Sequence, residues 1–355
     1  MVKDVGRKMS KIPKVTVLMP VYNGEKYLKE AVDSILDQSF KDYEFLIIDD
    51  GSTDGSGEII KSYADPRIKV LENGENLGLV TTLNKGIELA RGEFIARMDC
   101  DDVSLPERLE KQVRFMDSRL DVGVCGTWLR KIGSAHDVVS YPVEDKDIRW
   151  FLTINSMFAH PSVMLRHDLL TNHNLRYDAN FPHAEDYELW TRIAKYCRLA
   201  NLPEVLLLYR IHGEQIGAKY NIEQVATGGR VRMAQLCNLG ISFGSKEFNL
   251  HEEIFAGVQK GIGKRGYAAR ISFLKDSETW LMKLLDANKH GALLNSASFD
   301  NILAERWFVI CSQSSGLGLS AWNLFRNSAL SKLVTLPALN KFKFWIRCMI
   351  KWKVT

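Results

Sequence analysis

Apolar and polar positions alternate in blocks along the first hundred residues. Val15–Met19 is a short apolar run closed by Pro20, the pattern of a buried strand. From Glu25 to Gln38, Tyr27, Leu28, Ala31, Val32, Ile35 and Leu36 recur at helical spacing. Tyr43–Ile48 predicts a second strand, Gly55–Tyr63 a helix, Arg67–Leu71 a third strand and Leu79–Ala90 another helix; Phe94–Ala96 is the fourth strand. Strict alternation of this kind argues for a parallel sheet with helices on its faces. Ligands of such open sheets bind beyond the C-terminal strand ends. Three polar clusters fall there: Pro20-Val21-Tyr22-Asn23, the run from Asp49 to Asp54, and the run from Asp99 to Asp102.

Farther on, the pattern predicts a helix to about Met116, a strand over Val122–Ile132, and a polar loop over Ala135–Ile148. Trp150–Leu152 and Ser162–Leu165 are apolar, with His160-Pro161 breaking the chain between them. A helix opens at Ala184-Glu185-Asp186, and Val205–Tyr209 reads as the last strand. Beyond about Ala218 the pattern is helical and mixed polar, as in Val225–Cys237, Glu252–Lys260 and Ser277–Leu285. The expected organisation is an α/β domain over residues 1–218 and a mainly helical region over 219–355.

Composition narrows the class. The chain has 355 residues, 46% of them hydrophobic and 25% charged, as in globular proteins. A net charge of +4 gives no reason to expect a nucleic-acid partner. The six cysteines form no CxxC pair, so neither a zinc site nor a disulfide framework is signalled, and a reducing compartment is expected. Residues 1–14 hold no apolar core of a signal peptide, and no apolar run approaches the roughly 20 residues of a membrane span. A cytoplasmic location follows as the expectation.

Asp99, Asp101 and Asp102 crowd the end of a buried strand. Unpaired acids there repel and are costly to bury. A divalent cation among them removes the conflict, and oxygen ligands suit Mg²⁺ or Mn²⁺. The competing reading is a solvated acidic turn, with Ser104 as N-cap and Pro106 in the first turn of the next helix.

Together, VTVLMPVYNGEKYLKEAVDSILDQSF, IIDDGSTDGS, ENLGLVTTLNKGIELARGEFIARMDCDD, AEDYELWTRIA and YRIHGEQ resemble the family 2 glycosyltransferases in order and spacing, over roughly Val15–Gln215. The resemblance implies a GT-A fold, Rossmann-like with a mostly parallel sheet. It further implies a nucleotide-sugar donor, a uridine-linked one as the first expectation, a metal ion and inversion at the anomeric carbon. On this resemblance Asp101 is a direct metal ligand, Asp99 contacts the ribose or a metal-bound water, and His212 reaches the metal or diphosphate. Asp50 accepts the ring N–H of a pyrimidine base, Pro20, Val21 and Tyr22 wall the base pocket, and Asn84 approaches the donor. Asp186 is the catalytic base and Glu185 orients it or the acceptor. Other readings stay open: an Asx turn for Asp49, Asp50 and Ser52, a core role for Tyr22, and helix-dipole complementation for Glu185 and Asp186.

The implied acceptor is a glycan or lipid-linked saccharide, in a bacterial surface-polysaccharide setting. A non-catalytic nucleotide- or glycan-binding protein is the alternative, although the acids that catalysis needs are all present. A dinucleotide-dependent redox enzyme is disfavoured, because the first strand–helix turn is PVYNGE and lacks GxGxxG. Finally, no acid follows Glu305, while Arg306, Arg326, Lys332, Lys341, Lys343, Arg347, Lys351 and Lys353 do. On a helical wheel Phe342, Trp345, Ile346 and Met349 share a face, and Lys343, Arg347 and Lys351 form a stripe nearly opposite. That pattern predicts peripheral attachment to an anionic membrane surface on the cytoplasmic side; the alternative packs the apolar face on the catalytic domain.

Overall fold

The computed structural model describes residues 12–213, 221–255, 266–290, 296–335 and 337–350. The chain forms two compact units, residues 1–145 with 156–224 and residues 146–155 with 225–355. The boundary expected near Ala218, with Glu214 and Gln215 of the last motif, lies outside the described residues. The excursion of 146–155 into the second unit has no counterpart in the sequence reading: the helix α5 (Asp145–Phe151) carries Trp150 into that unit's core.

In the first unit, β1 (Val15–Val21), β2 (Tyr43–Asp49), β3 (Ile68–Glu72) and β4 (Phe94–Arg97) pair in parallel, with α1 (Glu25–Leu36), α2 (Ser56–Lys61) and α3 (Leu79–Leu89) between them. The expected alternation is realised here. Beyond β4 the sheet becomes mixed. The order is β3-β2-β1-β4-β8-β6-β9-β5, with β5 (Val103–Ser104), β6 (Val122–Gly133), β8 (Met164–Arg166) and β9 (Arg198–Ile211), and β7 (Val138–Val139) pairs with β6. β8 runs antiparallel to both β4 and β6, whereas β6 and β9 are parallel.

Three local departures have physical causes. Pro20 stays inside β1 rather than ending it. β4 pairs with β1 only as far as Leu18, so the missing N–H of Pro20 costs no ladder bond. β9 begins at Arg198, not Val205, because the chain steps out of register around Pro203: Thr127 pairs with Leu202 and Trp128 with Val205. Ser104 is a strand residue and caps nothing, and Pro106 precedes the helix α4 (Arg108–Ser118). Gln38, at the end of α1, takes over: its Oε1 accepts from Leu109 N at 3.0 Å while its Nε2 donates to Leu105 O at 2.8 Å.

The second unit is helical among the described residues, with Trp280, Trp307, Phe299 and Phe344 fully buried. In the helix Ala338–Met349, Phe344 and Cys348 face the core, on the side where the sequence wheel places a solvated basic stripe. Lys343 and Arg347 lie at the edge of that buried side; Lys351 is outside the described residues. At the centre of the unit His251 donates from Nε2 to Thr153 O at 2.6 Å and accepts from Trp280 Nε1 at 3.2 Å. This arrangement needs the neutral ring, and burial lowers its pKa to about 4.

The sign of the pH effect follows. Between about 4 and the ordinary 6.5, the unfolded chain binds a proton that the folded imidazole refuses. Stability from His251 is therefore complete above about 6.5 and declines as pH falls towards 4. Melting curves should move to lower temperature over that interval, and His251→Gln should flatten the dependence; an unchanged slope would refute this role.

Candidate active site

Two turns at the C-terminal ends of β1 and β2 are laced together. Asn23 N donates to Ser52 Oγ (3.0 Å), Thr53 N to Asn23 Oδ1 (2.8 Å), Gly24 N to Ser56 Oγ (2.9 Å) and Glu25 N to Asp54 Oδ2 (3.1 Å). Gly51 is required between them: its φ is +73° and a Cβ would lie 2.5 Å from the backbone of Glu75. Asp49 accepts from Ser52 N at 2.9 Å, the Asx turn considered above. Asp50 is buried, and its carboxylate accepts from Asn73 Nδ2 (2.7 Å), Leu77 N (3.0 Å) and Gly78 N (2.9 Å). It thus fastens the loop 73–78. Pro20 and Val21 have buried side chains in β1, and the Val21 carbonyl accepts from Asp50 N. Tyr22 is exposed, which removes the core alternative.

The acid cluster lies beyond β4. Asp99, Asp101 and Asp102 each offer a carboxylate oxygen within 4.8 Å of the others. Asp102 is buried; its Oδ1 accepts from Arg210 N at 2.8 Å, while Oδ2 has no hydrogen-bond partner. Burial and the neighbouring acids push its pKa well up. Burial also raises Asp99, against the pull of Arg97. His212 Nε2 stands 2.9 Å from Asp101 Oδ2. An orphaned buried carboxylate oxygen, three crowded acids and an imidazole make a donor set that fits Mg²⁺ or Mn²⁺. Arg210 pairs with Glu30 at 2.5 Å and stacks over Tyr27.

Glu185 and Asp186 open the helix Glu185–Ile193. Glu185 is buried and raised in pKa by that burial. Burial, then the adjacent Glu185, lifts Asp186 to about 7. Asp186 Oδ1 accepts from Tyr187 N at 2.6 Å, which leaves Oδ2 to face other groups. His183, just before the pair, holds a left-handed φ of +61°.

Asn84 does not project as a free ligand. Its amide brackets Tyr177 of the loop before the helix Glu185–Ile193, donating to Tyr177 O and accepting from Tyr177 N, both at 2.9 Å. The Tyr177 hydroxyl meets His160 Nε2 at 2.8 Å, and burial keeps His160 neutral. Asn84 is therefore a positioning residue for that loop.

Sequence reasoning missed Arg97. It is buried at the end of β4, ion-paired with Asp99, and its charge also bears on Asp102, Glu185, Asp186 and Tyr177. The fully buried Arg108 supports it from behind, donating to Arg97 O at 2.7 Å. An arginine closing an apolar strand next to acids was the available signal.

The profile described as glycosyl transferase family 2 matches residues 16–170. WbnJ, an O-antigen biosynthesis glycosyltransferase of Escherichia coli, is 37% identical over 211 residues, covering 56% of this chain and 80% of that protein. An uncharacterized glycosyltransferase of Haemophilus influenzae is 32% identical over 237 residues, 63% of this chain and 73% of that protein. This chain belongs to glycosyl transferase family 2. The family 2 enzyme has the GT-A fold, shared with two solved structures at 17% identity. One is S. aureus TarS 1-349 in complex with UDP-GlcNAc, with a TM-score of 0.58 and coverage of 94% of this chain and 90% of that one. The other is the mannosyltransferase PcManGT from Pyrobaculum calidifontis in complex with GDP-Man and Mn2+, with a TM-score of 0.52 and coverage of 96% and 87%.

Arg97→Met leaves the surrounding carboxylates without their shared cation. Losing one partner of a buried pair costs about 3–5 kcal/mol. The urea midpoint should fall markedly for Arg97→Met and less for Arg97→Lys. Equal midpoints for wild type and both variants would show that the buried charge is not holding the site together.

Proposed function

We propose that this family 2 glycosyltransferase moves one sugar from a nucleotide-diphosphate donor, with UDP-sugars the first class to test, to a hydroxyl of a glycan or lipid-linked acceptor, inverting the anomeric carbon. The observation that carries the reading is a crowded acid cluster and a carboxylate tuned to about 7, both under the influence of one buried arginine. The O-antigen biosynthesis name of the Escherichia coli relative supports a surface-polysaccharide setting.

Each residue has a task in this reading. Asp99, Asp101 and Asp102, with His212, would hold Mn²⁺ or Mg²⁺, which supplies charge neutralisation to a departing diphosphate. Tyr22 offers an exposed ring beside the laced turns, and Asp50 fixes the loop 73–78 next to them. Asp186 takes the proton of the attacking hydroxyl, and its pKa near neutrality suits a general base. Glu185 holds that pKa up, because two adjacent carboxylates resist ionising together. Arg97 limits the rise, which keeps the titration of the base near neutral pH.

Asp186 must be ionised to act, so kcat/KM should climb with pH through about 7 and level off above it. Asp186→Asn keeps the shape and the contact to Tyr187 N but cannot accept the proton. It should bind UDP as the wild type does and lose kcat by about 10³-fold. Near-normal transfer by this variant would assign the base elsewhere.

Metal dependence has a separate readout. Excess EDTA should stop transfer from a panel of UDP- and GDP-sugars, with recovery on adding Mn²⁺ or Mg²⁺. Asp101→Ala should lower kcat/KM on the order of 10²-fold. Full turnover in EDTA would refute the metal assignment and leave the base assignment standing.

A further inference from the structure

The helix Ala338–Met349 is apolar on two sides, and among the described residues only one side enters the core. Phe344 and Cys348 enter the core of the second unit, where Phe344 packs edge-on against Phe308, Phe325 and Trp322. On the outward side Phe342 is 54% exposed, Trp345 37% and Met349 51%, with Leu339 and Ile350 exposed as well. The Phe342 and Trp345 rings stack on each other at 5.8 Å and touch no other ring among the described residues. At 100° per residue the outward side chains from Trp345 round to Ile350 fill an arc of about 140°. Lys343 and Arg347 follow at one edge of this arc and Lys341 at the other.

The segment that holds this helix carries charge of a single sign. Residues 306–355 contain eight Lys or Arg and no acid. Arg326, Lys332 and Lys343 are exposed. A protein partner would need acidic groups to complement such a surface, and a second copy of this chain would oppose like charge to like charge at this face. An anionic bilayer surface meets both demands at once, taking aromatic and aliphatic side chains below the headgroups and basic ones among them.

We infer that the outward face of this helix is a preformed seat for an anionic lipid surface, held open by the anchoring of its inward face. The inference stands on the second unit alone and is independent of donor, metal and base. An unanchored amphipathic peptide orders as it binds; this helix is already formed, so the ordering cost is met on folding. A lipid-linked acceptor would be presented at the same surface.

The full-length protein should co-sediment with vesicles of phosphatidylglycerol and phosphatidylcholine, and bind pure phosphatidylcholine about tenfold less. Raising salt should weaken the anionic binding. Phe342→Ser with Trp345→Ser should lower binding about tenfold while leaving the melting temperature and sugar transfer to a soluble acceptor unchanged, since both side chains are exposed. Brominated lipid should quench part of the tryptophan emission, and Trp345→Phe should abolish that quenching. Absence of binding to anionic vesicles at low salt would overturn the proposal, as would equal binding by the double variant. So would a concentration-dependent dimer in sedimentation velocity that the double variant abolishes, because the face would then be a self-interface.

Discussion

A buried guanidinium among carboxylates sets the terms for the catalytic unit. Arg97 ends the strand that carries the acids, and the acids need a cation near them even before substrate arrives. Without it, Asp99, Asp102, Glu185 and Asp186 would concentrate negative charge in a low-dielectric region, and protonation would relieve the conflict at the expense of chemistry. With it, the strand-end acids and the helix-end acids share one compensating charge. Arg108 fixes the backbone of Arg97 from the opposite side through a carbonyl, so two arginines lie buried in line behind the site. Burial, and then the nearby Arg97 charge, lowers the pKa of Arg108 to about 9.

The rest of the unit places loops against this charge. Lacing between the Asn23 and Ser52 turns makes one surface from two strand ends. Asp50 does the same for the loop 73–78, and Lys85 joins that network through Asn73 at 2.8 Å. These contacts engage backbone N–H groups as much as side chains, so they fix the chain path itself.

The parallel half of the fold was legible because its strands are continuous apolar runs and its helices keep a 3.6-residue period, as in Tyr43–Ile48 and Glu25–Leu36. The antiparallel additions were less so. β5 and β7 are two residues each, too short to show a period, and Pro203 hid the first half of β9. At the site, the acid positions stood out by type and spacing, whereas their supporting partners did not. Asn84 reads by resemblance as approaching the donor, while its partner Tyr177 comes to it from 93 residues away. Asp50 reads as a base contact or an Asx-turn acid, and its partners in the loop 73–78 lie 23 to 28 positions farther on. His251 carries no local signal at all, since its partners Thr153 and Trp280 lie in distant stretches of the sequence.

The Asn84 bracket has an evolutionary reading. Its two hydrogen bonds go to the main-chain N–H and C=O of position 177, in the manner of one rung of a β-ladder. The attachment is therefore blind to which side chain that position carries, and equally to the residues on either side. The segment leading to the helix Glu185–Ile193 can change its sequence while its tether to α3 stays the same. A single amide on a helix thus separates the inheritance of loop placement from the inheritance of loop composition.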